Sequence, residues 1–273
     1  VPLVGGGPGF PTIRENWFML PKNGFRDIPM TPGISFRNIG TEYEGESMMA
    51  KISLIIPYQP DHGRRDFVWS FVYARYQRLM PDVELCIAGD DSELFSKARA
   101  VNRAAKQATG DVFVIVDAEV VFHPGLLHRV LAEIDHHPWI IPFTNAYRLT
   151  KEASDRLMEE GLPDEIVIDE SDIEDRQWVV GSYMNVMTRA AFEKVGGIDE
   201  RFEGYGFEDV AFALSLDTLC GKHYRMEETI YHLWHPMAEI HHKNIRNNHD
   251  LYLRYQAAEG NVEAMRQLIA ERY

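Results

Sequence analysis

The residues with the clearest capacity for chemistry are carboxylates and imidazoles in three short runs. Asp117-Ala118-Glu119 closes the apolar run VFVIV, so two carboxylates stand one residue apart where a hydrophobic segment ends. A hard divalent cation takes such oxygens directly or through water, and keeps other positions for waters and substrate phosphates. The same pair also suits a solvated loop, with Asp117 capping the next helix. Glu208-Asp209 follows the flexible turn Gly204-Tyr205-Gly206, where backbone can approach a ligand closely. A carboxylate there equally fits a helix N-terminus, where it offsets the dipole. The third run holds His232, His235, His241 and His242. Imidazole suits manganese better than magnesium, but an isolated histidine is more often a surface or satisfied core residue. On a strand, residues 232 and 235 face opposite sides, so only one of these two serves a given site.

These runs need elements to hold them, and the pattern from residue 51 supplies them. ISLIIPY (52–58) and DVFVIVD (111–117) are continuous apolar runs, as expected of strands covered on both faces. VELCIAGD (83–90) is a third strand ending in acidic residues. Between them, Val68, Val72, Tyr76 and Leu79 make one helical stripe, and Leu94, Ala98, Val101, Ala105 and Ala108 another that stops at Gly110. This alternation predicts a right-handed, doubly wound α/β sheet, whose ligands sit beyond the carboxyl ends of the strands. Tyr58, Asp90 and Asp117 all fall there. A helix opens at Pro124, and 151–175 reads as an exposed, partly helical acidic loop. WVVGSYMNVM (178–187) reads as a strand, Thr188 caps the short helix RAAFEKV, and a further helix spans about 208–219. ETIYHLWHP (228–236) reads as a late strand before an amphipathic helical tail. Residues 1–48, rich in Gly and Pro, form an irregular extension before a domain at 49–273. Within it GGGPG neither follows a strand nor fits G-x-G-x-x-G, so it reads as a linker or turn. The aromatics Trp17, Phe18, Phe25 and Phe36 suit an extension that contacts a protein partner, another subunit or the domain itself.

Composition removes some classes of function. A net charge of −14 over 273 residues argues against broad binding to nucleic acid or an anionic membrane, while permitting a local basic pocket for a small diphosphate. No run of about 18 apolar residues predicts a transmembrane helix, and the first residues lack the pattern of a signal peptide. Cys86 and Cys220 read as buried thiols and suit a reducing cytoplasm, the expected location.

Three motifs in order carry a resemblance. SKARAVNRAAKQATGDVFVIVDAEV (96–120) resembles the nucleotide-sugar segment of GT-A glycosyltransferases, where an Arg/Asn/Ala-rich helix leads into a strand ending in D-x-D. AAFEKVGGIDERFEGYGFEDVAFALSL (190–216) is similar to the acceptor-side segment of family-2-type enzymes and β-1,4-galactosyltransferases. HLWHP (232–236) resembles their late metal-ligand strand. The resemblance implies a GT-A, Rossmann-like fold: a mixed, mainly parallel sheet flanked by helices. Its nucleotide-sugar half covers about 51–148 and its acceptor half about 176–240. It implies metal ligands Asp117, Glu119 and His235, with Mn²⁺ or Mg²⁺ as cofactor and a UDP-sugar as donor. Glu119 departs from the commoner Asp and is one methylene longer, which suits a water-mediated contact or a reach to a ribose hydroxyl instead. Asp209 becomes the general base of an inverting reaction on a glycan or other hydroxyl acceptor, with Glu208 holding the acceptor or capping the helix. Pro57, Tyr58, Asp90, Arg99 and Asn102 fall near the expected base and ribose, and Arg64 and Arg65 near the diphosphate. Trp178, Gly181 and Ser182 fall near the donor sugar, with Trp178 equally suited to a core. Two rivals remain. One is a degenerate GT-A domain used for binding or structure; the other, ranked lower, is a nucleotidyltransferase, whose Gly-rich basic loop PYQPDHGRRD lacks.

Overall fold

The computed structural model describes residues 50–236 and 242–272, with the side chains of residues 242 and 243 left aside. The expectations for residues 1–48, the GGGPG turn, His241 and the His242 side chain lie outside that description.

The first half follows from its apolar periodicity. Strand β1 (Ile52–Pro57) leads to helix α1 (Arg64–Leu79), β2 (Glu84–Ala88), α2 (Lys97–Ala105) and β3 (Val112–Val116). β1 pairs in parallel with both β2 and β3. Every residue of β1 and β3 is buried, as continuous apolar strands under helices on both faces must be. α1 covers the sheet with Val68, Trp69, Val72 and Tyr76, and α2 with Ala98, Val101, Ala104 and Ala105.

The chain continues through β4 (Val120–Val121), α3 (Gly125–Ile134), β5 (Trp139–Ile141), β6 (Asn145–Leu149) and α4 (Lys151–Glu159). Then come β7 (Ile173–Gln177), β8 (Met184–Thr188), α5 (Arg189–Lys194), α6 (Glu208–Leu219), β9 (Tyr224–Arg225) and β10 (Thr229–His232). Helices α7 (His242–Ala257) and α8 (Val262–Ala270) follow. The main sheet has the order β2-β1-β3-β8-β5-β9, with β8 antiparallel to both of its neighbours. The architecture is therefore the expected mixed α/β sheet flanked by helices. A second sheet, β4-β10-β6-β7, was not anticipated.

Three local expectations are corrected. Residues 151–175 are partly helical, as expected, but not wholly exposed: Thr150 caps α4 by accepting from the Ala153 amide at 3.1 Å, and Ala153, Ser154 and Leu157 are buried. Its abundant charge hides the buried face of that helix. Only 184–188 of the segment 178–187 and beyond is strand, because Gly181 and Tyr183 take φ of 90° and 64°, far from extended backbone. The late strand stops at His232, after which the Leu233 amide donates to Glu119 O at 2.9 Å. Among the described residues no helix is long and apolar enough to cross a membrane.

Candidate active site

The carboxyl end of β3 is the focus. The Asp117 amide donates to Tyr183 O at 2.9 Å and its carbonyl accepts from the Val120 amide at 3.0 Å, so the chain turns there into β4. β4 pairs antiparallel with β10, and the register sets His232 opposite Val120. Sequence-distant groups therefore meet: one ligand atom each from Glu119, His232 and His235 lies within 4.8 Å of the others. The expectation that the two imidazoles face opposite sides fails, because the strand ends at His232 and its pleat does not carry on to residue 235. Their ring centroids are 5.1 Å apart.

The loop bearing these histidines is held from two helices. The Trp234 amide donates to the buried Ser154 hydroxyl of α4 at 2.8 Å, and Arg64 of α1 donates to Trp234 O at 3.3 Å. Arg64 also pairs with Asp155 at 2.5 Å. Arg65 pairs with Glu119 at 2.5 Å. Both arginines expected near a diphosphate are thus paired with carboxylates in this structure.

The chemistry of the trio fits a divalent transition metal. Burial pushes the His232 imidazole down to about 4, so it is neutral and keeps a ligating lone pair. Its Nδ1 is buried without a hydrogen-bond partner, a deficit that a bound cation would relieve. His235 Nδ1 lies 2.8 Å from Pro236 O, which fits a proton on Nδ1 and leaves Nε2 free to ligate. Burial works against ionisation of Glu119, but the charge and hydrogen bond of Arg65 outweigh it and hold the carboxyl below its ordinary range.

Asp117 is paired with a different cation. Its carboxylate lies 2.7 Å from Lys97 Nζ, and the same ammonium lies 3.1 Å from Asp209. Lys97 thereby joins the end of β3 to the start of α6. Burial disfavours its charge, but Asp117, Asp209 and Glu208 outweigh that and raise its pKa. Sequence reading missed Lys97. The available signal was a cation in the first turn of α2, where the helix dipole disfavours it.

The turn before α6 is strained where it meets the site. Phe207 takes φ of 75° at the helix N-cap, packed on Tyr252 with centroids 5.2 Å apart. A bulky residue in that region costs about 1–3 kcal/mol, and such residues cluster at functional sites. Tyr183, the other bulky residue with positive φ near the site, packs edge-on against His232. Gly181 lies against Asp209: a methyl at residue 181 would overlap the Asp209 carbonyl. The Ser182 side chain lies beside that of Asp209.

Asp209 and Glu208 both hold protons more tightly than usual. Burial raises Asp209, partly offset by Lys97. Burial and then Asp209 push Glu208 up to about 8, and its Oε2 is buried without a partner. A carboxyl raised in the native state stabilises the fold fully below its ordinary value of 4.5 and loses that contribution as pH rises through about 8. Glu208→Gln is therefore expected to gain on the wild type in unfolding midpoint between pH 6 and pH 9. Parallel melting curves across that range would show Glu208 already ionised at neutral pH.

Other expected contacts are engaged elsewhere. Asp90 is buried, bound by Arg99 at 3.1 Å and by the Ser96 amide at 3.1 Å. Asn102 holds Ile198 by its amide at 3.0 Å and its carbonyl at 2.8 Å, so its side chain serves the Gly196-Gly197 turn. Tyr58 donates to Asp66 at 2.6 Å, and Pro57 ends β1. Trp178 is 67% exposed, which removes the core alternative.

Comparison with known proteins agrees with the resemblance drawn above. Residues 91–192 match the family described as glycosyl transferase family 2. The matched segment includes Lys97, Asp117 and Glu119 and stops before Asp209, His232 and His235. No curated protein matches the chain by sequence. Similar solved structures include a Drosophila β-1,4-galactosyltransferase 7 mutant in complex with manganese, UDP-Gal and xylobiose. It shows 13% identity and a TM-score of 0.42, covering 72% of this chain and 79% of that one. The mannosyltransferase PcManGT from Pyrobaculum calidifontis, in complex with GDP-Man and Mn²⁺, shows 14% identity and a TM-score of 0.43. That match covers 83% of this chain and 74% of the other.

Proposed function

We propose that this protein is a metal-dependent, inverting glycosyltransferase that moves a sugar from a UDP-sugar to an acceptor hydroxyl. One observation carries the reading. A trio suited to a cation and a lysine-bridged carboxylate pair stand side by side at the carboxyl end of β3, at Glu119 and Asp117. Glu119, His232 and His235 would hold Mn²⁺, whose bound role is to stabilise negative charge on the departing diphosphate. Arg65 orients Glu119, and the anchored loop fixes His235. Lys97 adds a positive charge beside the same edge and holds Asp209 in place. Asp209 accepts the acceptor's proton as its oxygen attacks the anomeric carbon, from the face opposite the nucleotide. A modest base suffices, because the hydroxyl becomes strongly acidic as the new C–O bond forms and because its position is fixed.

The test is a turnover screen of nucleotide sugars with Mn²⁺ and Mg²⁺, read as release of nucleoside diphosphate. UDP release that depends on Mn²⁺ is the expected result. Binding of a nucleotide sugar without release in any combination would instead make the domain a binding module. The metal site has its own readout. Saturating Mn²⁺ at about a hundred times Kd is expected to raise Tm by roughly 5–10 °C. His232→Ala and His235→Ala should each abolish most of that shift. An undiminished shift in both would place the ion elsewhere.

A further inference from the structure

Trp178 leaves most of its indole in water, although tryptophan has among the largest areas to bury. A single exposed apolar side chain is ordinary, but this one is held. The Arg225 guanidinium carbon lies 4.4 Å from the ring centroid. Arg225 itself donates to Phe143 O at 3.1 Å and to Val179 O at 2.8 Å, so the cation that fixes the ring is fixed in turn. Next to Trp178, Gln177 accepts from the Tyr183 hydroxyl at 2.7 Å. Three residues beyond it, Gly181 packs on the backbone of Asp209. Three residues of chain reach at most about 10 Å, so Trp178 and the turn that packs against Asp209 belong to one short segment.

Its surroundings indicate what it binds. Glu174, Asp175 and Arg176, just before it, are exposed and charged, so along the chain the indole is flanked by hydrated groups rather than by an apolar run. A fixed aromatic ring with a free face suits a ligand that is apolar on one side and hydroxylated at its edges. A pyranose ring has that form: its axial C–H bonds carry slight positive charge and meet the electron-rich face of the indole, while its hydroxyls stay hydrated.

We propose that Trp178, held by Arg225, is a stacking platform for the second sugar ring of an oligosaccharide acceptor. The inference rests on the glycosyltransferase reading and narrows its acceptor from any hydroxyl to a glycan of at least two rings. It also moves Trp178 from the donor sugar, where the resemblance set it, to the acceptor.

Transfer to cellobiose, lactose and N,N′-diacetylchitobiose is compared with transfer to the matching monosaccharides in wild type, Trp178→Ala and Trp178→Phe. At least one disaccharide is expected to show a KM about tenfold below its monosaccharide in the wild type. Trp178→Ala should erase that ratio and Trp178→Phe should keep most of it. An absent preference, an unchanged ratio in Trp178→Ala, or a rise confined to donor KM overturns the proposal. A binding arm separates this outcome from failure of the parent reading. Tryptophan fluorescence is titrated with the same disaccharides in the presence of UDP and Mn²⁺. A quench present in wild type and lost in Trp178→Phe supports the platform even without turnover. If neither turnover nor a Trp178-dependent quench occurs, the proposal is overturned.

Discussion

Asp209→Asn is expected to lower the transfer rate by about 10²–10⁴-fold, the usual contribution of a positioned general base. The substitution keeps the shape of the side chain and leaves Lys97 its second partner, Asp117, at 2.7 Å. The amide cannot take up a proton, so the loss should fall on kcat, with the donor dissociation constant measured separately by titration. The pH profile gives a second readout. Burial raises the Asp209 carboxyl above its ordinary value of 3.8, so the acid limb of kcat/KM in the wild type should lie above that value. A base must be deprotonated to act, so activity falls as pH drops through that limb. Retention of activity within a factor of about five, or an acid limb that survives in Asp209→Asn, would assign the base to another group.

The parts of this site that sequence revealed are those whose meaning is local. Asp117 and Glu119 end a fully buried strand, and Glu208 and Asp209 open a helix after a glycine turn. Both positions follow from periodicity and turn chemistry alone. The β1-α1-β2-α2-β3 order is equally plain, because each element shows its own apolar stripe. What failed depended on distant pairing. β4 has two residues and β7 reads IEDRQ, so neither shows a strand period, and the second sheet exists through their pairing with β10 and β6. That sheet brings His232 to Glu119, and α4 supplies the Ser154 hydroxyl that holds the following loop. Reading 228–236 as one strand extended a period-two rule past the point where the backbone turns. Arg99 and Asn102 carry the opposite lesson. Their donors suit a nucleotide, but loop carbonyls use the same chemistry, and Asn102 is spent on Ile198.

Lys97→Met is expected to destabilise the fold by about 3–5 kcal/mol, the usual cost of leaving buried charges without their partner. For a domain of this size that corresponds to a fall in Tm of roughly 10 °C. Methionine retains an unbranched stem, so lost packing is a small part of the effect. The pH dependence identifies the cause. Without the ammonium, Asp209 and Glu208 remain buried beside each other, and both bind protons more tightly than in the unfolded chain. Their contribution is then present at low pH and lost as pH rises, so the variant's deficit should be greatest near neutrality and shrink towards pH 4. Lys97→Arg restores the charge with a wider, planar head and should recover part of the loss. A Tm within about 2 °C of wild type at pH 7 would show that Lys97 is not the counter-ion. Manganese then distinguishes two arrangements of the site. If Glu119, His232 and His235 hold the ion, Lys97→Met should keep the Mn²⁺-induced rise in Tm, because none of the three contacts Lys97. If the rise instead grows in Lys97→Met and disappears on adding Asp117→Asn, the ion takes the place of the ammonium, and Asp117 is a ligand, as the resemblance implied.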